Sequence, residues 1–433
     1  MKASKPISLL LTNDLKARLD NYLKEQPTTF KCDKTYFYYI INHLLIQQNI
    51  NKNRCNGTED YYTQLNIKSL QAKTINNIGA YIKILKNGEF IKCNESYKVG
   101  KSLGQWYCIN SNYLKGTIVS HEVPKDHPLF RRILKQYENK RSHNNRLDNH
   151  LQIMCKAFMK LELDYDKANS WIMQEPKEYK RMLYTSSISN LNDKRFRYFK
   201  RNRTNNRLDT NLTNLKSNLR QFIVGDYVSI DLKISQPFLS MLLESIINNN
   251  REGTCYLLDN KEIVKTFGIK PIVLFSKIHQ DKENEFLANL NYYNESVLKG
   301  KLYENFVLSY TKGITRDEVK QITFEVLFSK NESYQNKKIV FNKVLPYVLE
   351  CVKALKKYDH SLLPIYLQKI ESYIFIDCIA KELVQIGIIP FTIHDSIIVK
   401  NEQIEKALSI IKNVFYNQFG IVPTFKIETL KAE

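Results

Sequence analysis

Arg316, Lys320, Phe324 and Phe328 stand four residues apart, a spacing that turns an α-helix by about 400° and moves each side chain only ~40° from the last. Two cations followed by two aromatics along ~18 Å of one helix face could grip a triphosphate while the rings lie against a base and sugar. A half-buried helix edge has the same i,i+4 pattern, so the stripe alone does not decide. Two acid-bearing segments flank it: Tyr227-Val228-Ser229-Ile230-Asp231, and Ile388 to Val399 with His394-Asp395 at the predicted tip of a hairpin. A carboxylate among β-branched apolar residues is costly unless it is paired or bound to metal. Each acid by itself could be a turn or capping residue. Together with the cationic helix, Asp231 and Asp395 fit a two-metal site, with two Mg²⁺ ions (or Mn²⁺ in their place) about 4 Å apart that activate a 3′ hydroxyl and stabilise a leaving pyrophosphate.

The chain that must position these residues has 433 of them, with 65 Lys plus Arg against 44 Asp plus Glu, a net charge of +21 and a pI near 9.4. That surplus implies a polyanionic partner. No apolar run reaches the ~18 residues that would span a bilayer, and Ile7 to Leu11 is too short for a signal peptide. Nucleic acid, not membrane, is therefore the expected partner. Eight scattered cysteines without a C-x-x-C pair suggest small buried hydrophobes in a reducing, cytoplasmic setting rather than disulfides or zinc.

Residues 1–57 carry two predicted helices, at about Asp14–Leu23 and Lys34–Gln47. From 58 to 120, helical stretches at Ile67–Ala72 and Thr74–Lys86 precede two short strands, Phe90–Cys93 and Trp106–Ile109, around the polar segment Asn94–Gly104. That order resembles a winged helix-turn-helix module in which Asn76, Asn77, Lys83 and Lys86 face DNA; an ordinary solvated helix face accounts for them equally well. Residues 121–190 are helical and basic. Next, Arg195, Arg197, Lys200, Arg201, Arg203 and Arg207 interleave with Phe196, Tyr198 and Phe199, either a strip for nucleic-acid backbone and bases or a solvated face. The last helix, Glu402–Phe419, should end at Gly420 and pack Ile404, Leu408, Ile411 and Phe415 on a sheet.

The second half of the chain, 191–433, resembles the family A DNA polymerases and the related single-subunit phage and mitochondrial RNA polymerases. Four segments match in order. Asn206-Arg207-Leu208-Asp209-Thr210, Thr213-Asn214-Leu215 and Leu219-Arg220-Gln221-Phe222 are similar to the family's "GRLSS…PNLQ…R..F" stretch. Asp231 falls at the first metal-binding Asp. The four-residue ladder matches the fingers motif "R-x3-K-x3-F-x3-YG" except at its end, and His394-Asp395-Ser396 matches the "HD-[ES]" hairpin. The resemblance implies that Asp231, Asp395 and the backbone carbonyl of Leu232 hold the metals. It implies that Arg316 and Lys320 bind the triphosphate, with Lys320 as proton donor to pyrophosphate. Phe324 would lie on the sugar and Phe328 near the templating base, while Arg207, Asn214, Arg220 and His394 would contact primer and template.

The departures concern sugar choice. Gln236 stands where the DNA enzymes carry the Glu that excludes ribose, and Ser235 and Ser396 lean toward the RNA enzymes; the Arg207–Arg220 segment leans toward the DNA enzymes. Glu371 takes the place of a usual Gln and reads as a modified minor-groove contact or, preferably, a structural acid. The implied fold is α+β: a right-hand palm with an antiparallel sheet, helical fingers inserted at about 245–345, a reduced thumb at 121–190 and a winged-helix-like region before it. The implied function is a compact DNA polymerase of a phage or mobile element, without a proofreading exonuclease, acting on DNA template, primer and nucleoside triphosphates. The alternatives are a single-subunit RNA polymerase or primase-like enzyme, and a non-catalytic DNA-binding replication protein with a relic palm.

Overall fold

A computed structural model describes residues 6–25, 32–54, 62–65, 67, 70, 75–94, 105–114, 116–141, 146–248, 283–357 and 359–431. Most of the predicted helix Ile67–Ala72, most of the Asn94–Gly104 segment, and positions 249–282 of the predicted fingers insertion therefore lie outside the described residues. The chain is helix-rich with small antiparallel sheets. It divides into two compact units, Met1–His143 with Glu162–Tyr198 and Asn214–Ile223, and Asn144–Leu161 with Phe199–Thr213 and Val224–Glu433.

The first unit opens with β1 (Ile7–Thr12). It pairs antiparallel with β5 (Ile118–Val123), from Ile7 opposite Val123 to Thr12 opposite Ile118. Between them lie β2 (Thr63–Gln64), β3 (Ile91–Asn94) and β4 (Trp106–Ile109), a second sheet in the order β2-β4-β3. The Lys34–Arg54 helix is apolar on most of its surface because it is central: Phe37, Ile40, Ile41 and Leu44 are fully buried in one core with Leu11, Leu15, Ile78, Leu85 and Ile109. That core joins what the sequence divided into 1–57 and 58–120. The helix Ile78–Asn87 buries Ile78, Tyr81, Ile82 and Leu85 beneath the β3–β4 hairpin. The expected single helical region at 121–190 is split. Pro128–Arg141, Tyr165–Met173 and Glu178–Asn192 belong to the first unit, whereas Asn149–Lys160 belongs to the second, where Phe158 lies against Phe199.

In the second unit β6 (Phe199–Arg201) and β7 (Leu208–Thr210) form a hairpin. A four-stranded antiparallel sheet in the order β11-β8-β10-β9 follows, from β8 (Tyr227–Leu232), β9 (Phe391–Ile393), β10 (Ser396–Lys400) and β11 (Phe425–Thr429). The helix Ile404–Phe419 packs Ile411, Val414, Phe415 and Phe419 into the core and stops at Gly420, whose φ of 68° lets its N–H reach the Tyr416 carbonyl at 2.8 Å. The described helices of the expected fingers region, Glu283–Leu298, Leu302–Ser309, Arg316–Phe328 and Gln335–Val344, share that core with the sheet. Among the described residues no helix is long and apolar enough to cross a membrane.

Two glycines report on how tightly this unit is packed. A Cβ on Gly300 (φ +65°) would sit 2.4 Å from the Thr424 hydroxyl oxygen, whereas one on Gly313 (φ +70°) would meet nothing within 4 Å. Gly313→Ala should cost about 1 kcal/mol, from its backbone conformation alone. Gly300→Ala should cost more, on the order of 2–3 kcal/mol, because Thr424 must move. Urea unfolding of the two variants separates the terms; equal losses would show that Thr424 yields freely.

Candidate active site

The second unit brings Asp231 and Asp395 together through strand register. β8 and β10 pair with Ser396 directly opposite Asp231, and the Leu232 N–H donates to the Asp395 carbonyl at 3.1 Å. The hairpin between β9 and β10 is closed by two residues, His394 and Asp395, with Ile393 opposite Ser396. So tight a turn needs a positive φ, which His394 supplies at 56°. On the face carrying Asp231, the Ser229 hydroxyl lies 3.0 Å from the Asp231 carboxylate and 2.6 Å from the Ser396 hydroxyl. Burial holds the Asp395 carboxyl above its ordinary value, and the Asp231 charge pushes the same way; its own backbone, the Ser235 hydroxyl and Arg207 pull it down.

Immediately past β8 the chain makes a strained turn: Ile234, a β-branched residue, has a φ of 51°. The turn starts the helix Ser235–Asn248 beside the acids and delivers Ser235 and Gln236 to them. Gln236 donates its amide nitrogen to Glu371 at 3.0 Å, while its amide oxygen is buried without a partner. Glu371, on the helix Leu362–Ser372, is 1% exposed and accepts two hydrogen bonds from Arg207, at 2.8 Å from Nε and 2.7 Å from Nη2. Arg207, expected at a primer terminus, thus spends two of its donors on Glu371. The sequence offered Glu371 as a minor-groove contact or, preferably, a structural acid, and missed this pairing because the two residues lie 164 positions apart. Arg201 forms a similar bidentate pair with Asp377, at 3.0 and 2.7 Å.

The cation–aromatic ladder folds as the helix Arg316–Phe328, with Val319, Ile322, Thr323, Val326 and Leu327 on its buried side. Its start is fixed by a capping box, the Thr315 hydroxyl accepting from the Glu318 N–H at 3.3 Å and Glu318 accepting from the Thr315 N–H at 2.9 Å. Arg316, Lys320 and Phe324 are exposed and Phe328 is half-buried. The two rings stack at 5.7 Å and 20°. Arg316 bonds Glu304 at 2.6 Å, but both side chains are solvated, and a pair of that kind is worth only ~0–1 kcal/mol. An anionic ligand could therefore draw Arg316 away at little cost. The Glu304 carboxyl is pushed up by burial, yet lies below its ordinary value because Arg316, and behind it Lys233, outweigh that push. Lys233 directly follows Leu232, so this end of the ladder shares an electrostatic neighbourhood with the end of β8.

The far end of the same helix rests on two buried lysines that the sequence gave no sign of. Lys356 Nζ donates to the carbonyls of Val326 and Ser329, the latter at 2.9 Å. Lys338 Nζ donates to Ser333 at 2.7 Å and Asn331 at 3.1 Å. Burial pushes the Lys356 ammonium down to about 8, with Lys338 acting in the same direction.

The other expected nucleic-acid contacts are placed differently. Asn214 and Arg220 belong to the first unit, where Asn214 donates to the Tyr198 hydroxyl at 2.6 Å and Arg220 to the Leu215 carbonyl at 3.3 Å. Of the basic strip, Arg195 pairs with Asp193, and Arg197 is buried and bonds the Leu191 carbonyl at 2.6 Å. With Arg201 and Arg207 also committed to carboxylates, Lys200 and Arg203 are left as its exposed cations.

Among the described residues no group of three or more His, Cys, Asp and Glu has metal-binding spacing. Mg²⁺ is nonetheless commonly held by only one or two carboxylates, with substrate phosphates completing its shell. Two acids forced together, one of them held above its ordinary value, suit a hard divalent cation that would relieve their repulsion. Asp231, Asp395 and the Leu232 carbonyl are the donors on hand.

Glu371 sets a pH dependence. Burial pushes its carboxyl up to about 7 from an ordinary 4.5, although Arg207 pulls it down. The folded chain then binds this proton more tightly than the unfolded chain. Its stabilising contribution is full below pH ~4.5 and is lost as pH rises through about 7, by roughly 3 kcal/mol. Glu371→Gln should flatten that stretch of the profile in urea midpoints taken from pH 4 to 8. An unaltered slope would assign the effect to other groups.

No protein-family model matches the chain, and no curated protein sequence does. Among solved structures it has a slight likeness to the POL domain of Pol1 from M. smegmatis, in complex with DNA primer-template and dNTP. The identity is 10% and the TM-score 0.28, over 68% of this chain and 66% of that one, just under two thirds of its length.

Proposed function

We propose that the chain is a template-directed nucleotidyltransferase, a DNA polymerase whose site is built around Asp231 and Asp395. The observation that supports it most is the register that sets Ser396 opposite Asp231 and so seats the two acids side by side at one end of the sheet. Asp231, Asp395 and the Leu232 carbonyl would hold two Mg²⁺ or Mn²⁺ ions. When bound, such ions supply Lewis-acid activation of a 3′ hydroxyl and charge neutralisation at the leaving pyrophosphate. Arg316 and Lys320, on the same helix N-terminal to the stacked pair Phe324 and Phe328, would take the triphosphate, with Lys320 able to donate a proton to the departing pyrophosphate. The stacked rings offer an apolar platform for the sugar and the templating base. Positioning and electrostatics dominate phosphoryl transfer, and this arrangement supplies both without a nucleophilic side chain. His394 at the hairpin tip would orient the primer end. Arg207, clamped by Glu371, would present its remaining edge to the primer terminus and Gln236 its amide oxygen to the incoming nucleotide.

A second reading, an RNA-making enzyme with the same chemistry, is favoured by that Gln236 amide oxygen, an acceptor without a partner at a position where the DNA enzymes place a charged acid. Primer extension with Mg²⁺, supplied separately with deoxy- and ribonucleotides, separates the two. Asp231→Asn and Asp395→Asn should each lower extension by on the order of a thousandfold or more while leaving the fold intact. Full activity in either variant would remove the proposal. Arg316→Ala should raise the nucleotide KM with a small change in stability, since what is lost is a solvated ion pair with Glu304 and a contact 5.4 Å over the Tyr303 ring.

A further inference from the structure

The first unit contains a cleft of about 1290 Å³ whose wall residues all come from that unit. Small-molecule pockets usually span about 300–1,000 Å³, so the space suits a stretch of polymer better than a metabolite. One wall is the outer edge of β1, from Pro6 to Leu10; β1 pairs only with β5 among the described residues. The opposite walls carry three tyrosines, Tyr39, Tyr137 and Tyr165, among amide side chains that include Gln47, Gln64 and Gln136. Cations outnumber acids on the lining, with Lys140, Lys194 and Arg195 against Asp193 alone.

The details of the walls favour bases over a peptide. Lys140 Nζ lies 4.6 Å from the ring centres of both Tyr137 and Tyr198, so charge and aromatic surface occur at one place. Burial, with Tyr198 and Tyr39 nearby, pushes the Tyr137 phenol up to about 12 and keeps it a hydrogen-bond donor. Burial also lowers the His43 imidazole, leaving it neutral, with one donor and one acceptor nitrogen. Aromatic faces, amides that can both donate and accept, and a few cations are what unpaired bases and their phosphates require. A duplex presents its bases stacked and paired, and could not lay them against these rings. The net charge of +21 points to a polyanion.

We propose that this cleft seats a short run of unpaired nucleic acid, its bases among Tyr39, Tyr137 and the amides and its phosphates on Lys140 and Lys194. The cleft belongs to the first unit and the Asp231–Asp395 centre to the second, and the proposal holds whether or not nucleotidyl transfer occurs. The test uses the full-length chain and a fluorescein-labelled oligo-dT, followed by anisotropy across a salt series. Lys140→Ala with Lys194→Ala should weaken binding on the order of tenfold and reduce the slope of log K against log salt by about 1.4, ~0.7 per lost phosphate contact. Lys194→Glu alone, at an exposed side chain, should weaken it in the same direction and serves should the double variant misfold. Oligo-dT carrying 4-thiothymidine should photo-crosslink within 39–47 or 133–140. Unchanged affinity in the lysine variants would overturn the proposal. So would cross-links confined to other segments, or displacement by heparin of a complex that never cross-links in the cleft, since that is polyanion binding without base contact.

Discussion

The register between β8 and β10 is the constraint on which the site depends. Side chains alternate across a strand, so a shift of one residue in pairing turns every side chain of the strand to the opposite face. Here the shift is resisted because Val228 and Ile230 are buried on one strand and Ile397 and Val399 on the other. The two-residue turn adds a second lock, and the Ser229–Ser396 contact a third. Hydrophobic burial of a handful of β-branched side chains thereby sets the separation of two carboxylates that would otherwise repel each other.

Around those acids the molecule tolerates groups that are expensive in a protein interior. Removing one partner of a buried ion pair typically costs ~3–5 kcal/mol, so Arg207 and Glu371 commit the residue leading into β7 and the Leu362–Ser372 helix to each other. Gln236 ties the start of a third element to the same carboxylate, across a turn that needs Ile234 in a left-handed conformation. The adjoining chain departs from regular geometry as well: residues Tyr373–Ala380 form a π-helical segment within an otherwise α-helical run. Strain and buried charge cluster here, as they do where function limits the choice of residues.

Much of this was legible in the sequence because it was local. Strand β8, the His394-Asp395 hairpin, the four-residue ladder and the glycine that ends the last helix all depend on periodicity or turn chemistry within about twenty residues. What could not be read is non-local. The pairing of β1 with β5 joins segments more than a hundred residues apart, and Ile7–Thr12 has no alternation to announce a strand. The ion pairs from Arg201 to Asp377 and from Arg207 to Glu371 leave no trace in spacing, so a basic strip that resembled a nucleic-acid surface turned out largely committed inward. Compact units are likewise defined by non-local contacts, and this chain crosses between its two several times.

The ammonium groups of Lys338 and Lys356 hold the carbonyls at and beyond the C-terminal end of the Arg316–Phe328 helix. A helix clamped at that end cannot unwind from it, nor slide along its axis, without stranding two positive charges in an apolar interior. At its opposite end the backbone is held by Val319, fully buried one turn in, while the capping box and the Arg316–Glu304 pair lie in solvent. With its buried face running from Val319 to Leu327, the rod itself is fixed, and what can reach toward a ligand is the solvated length of the Arg316 and Lys320 side chains. The aromatic pair would act as a fixed bearing and the cations as the part that travels.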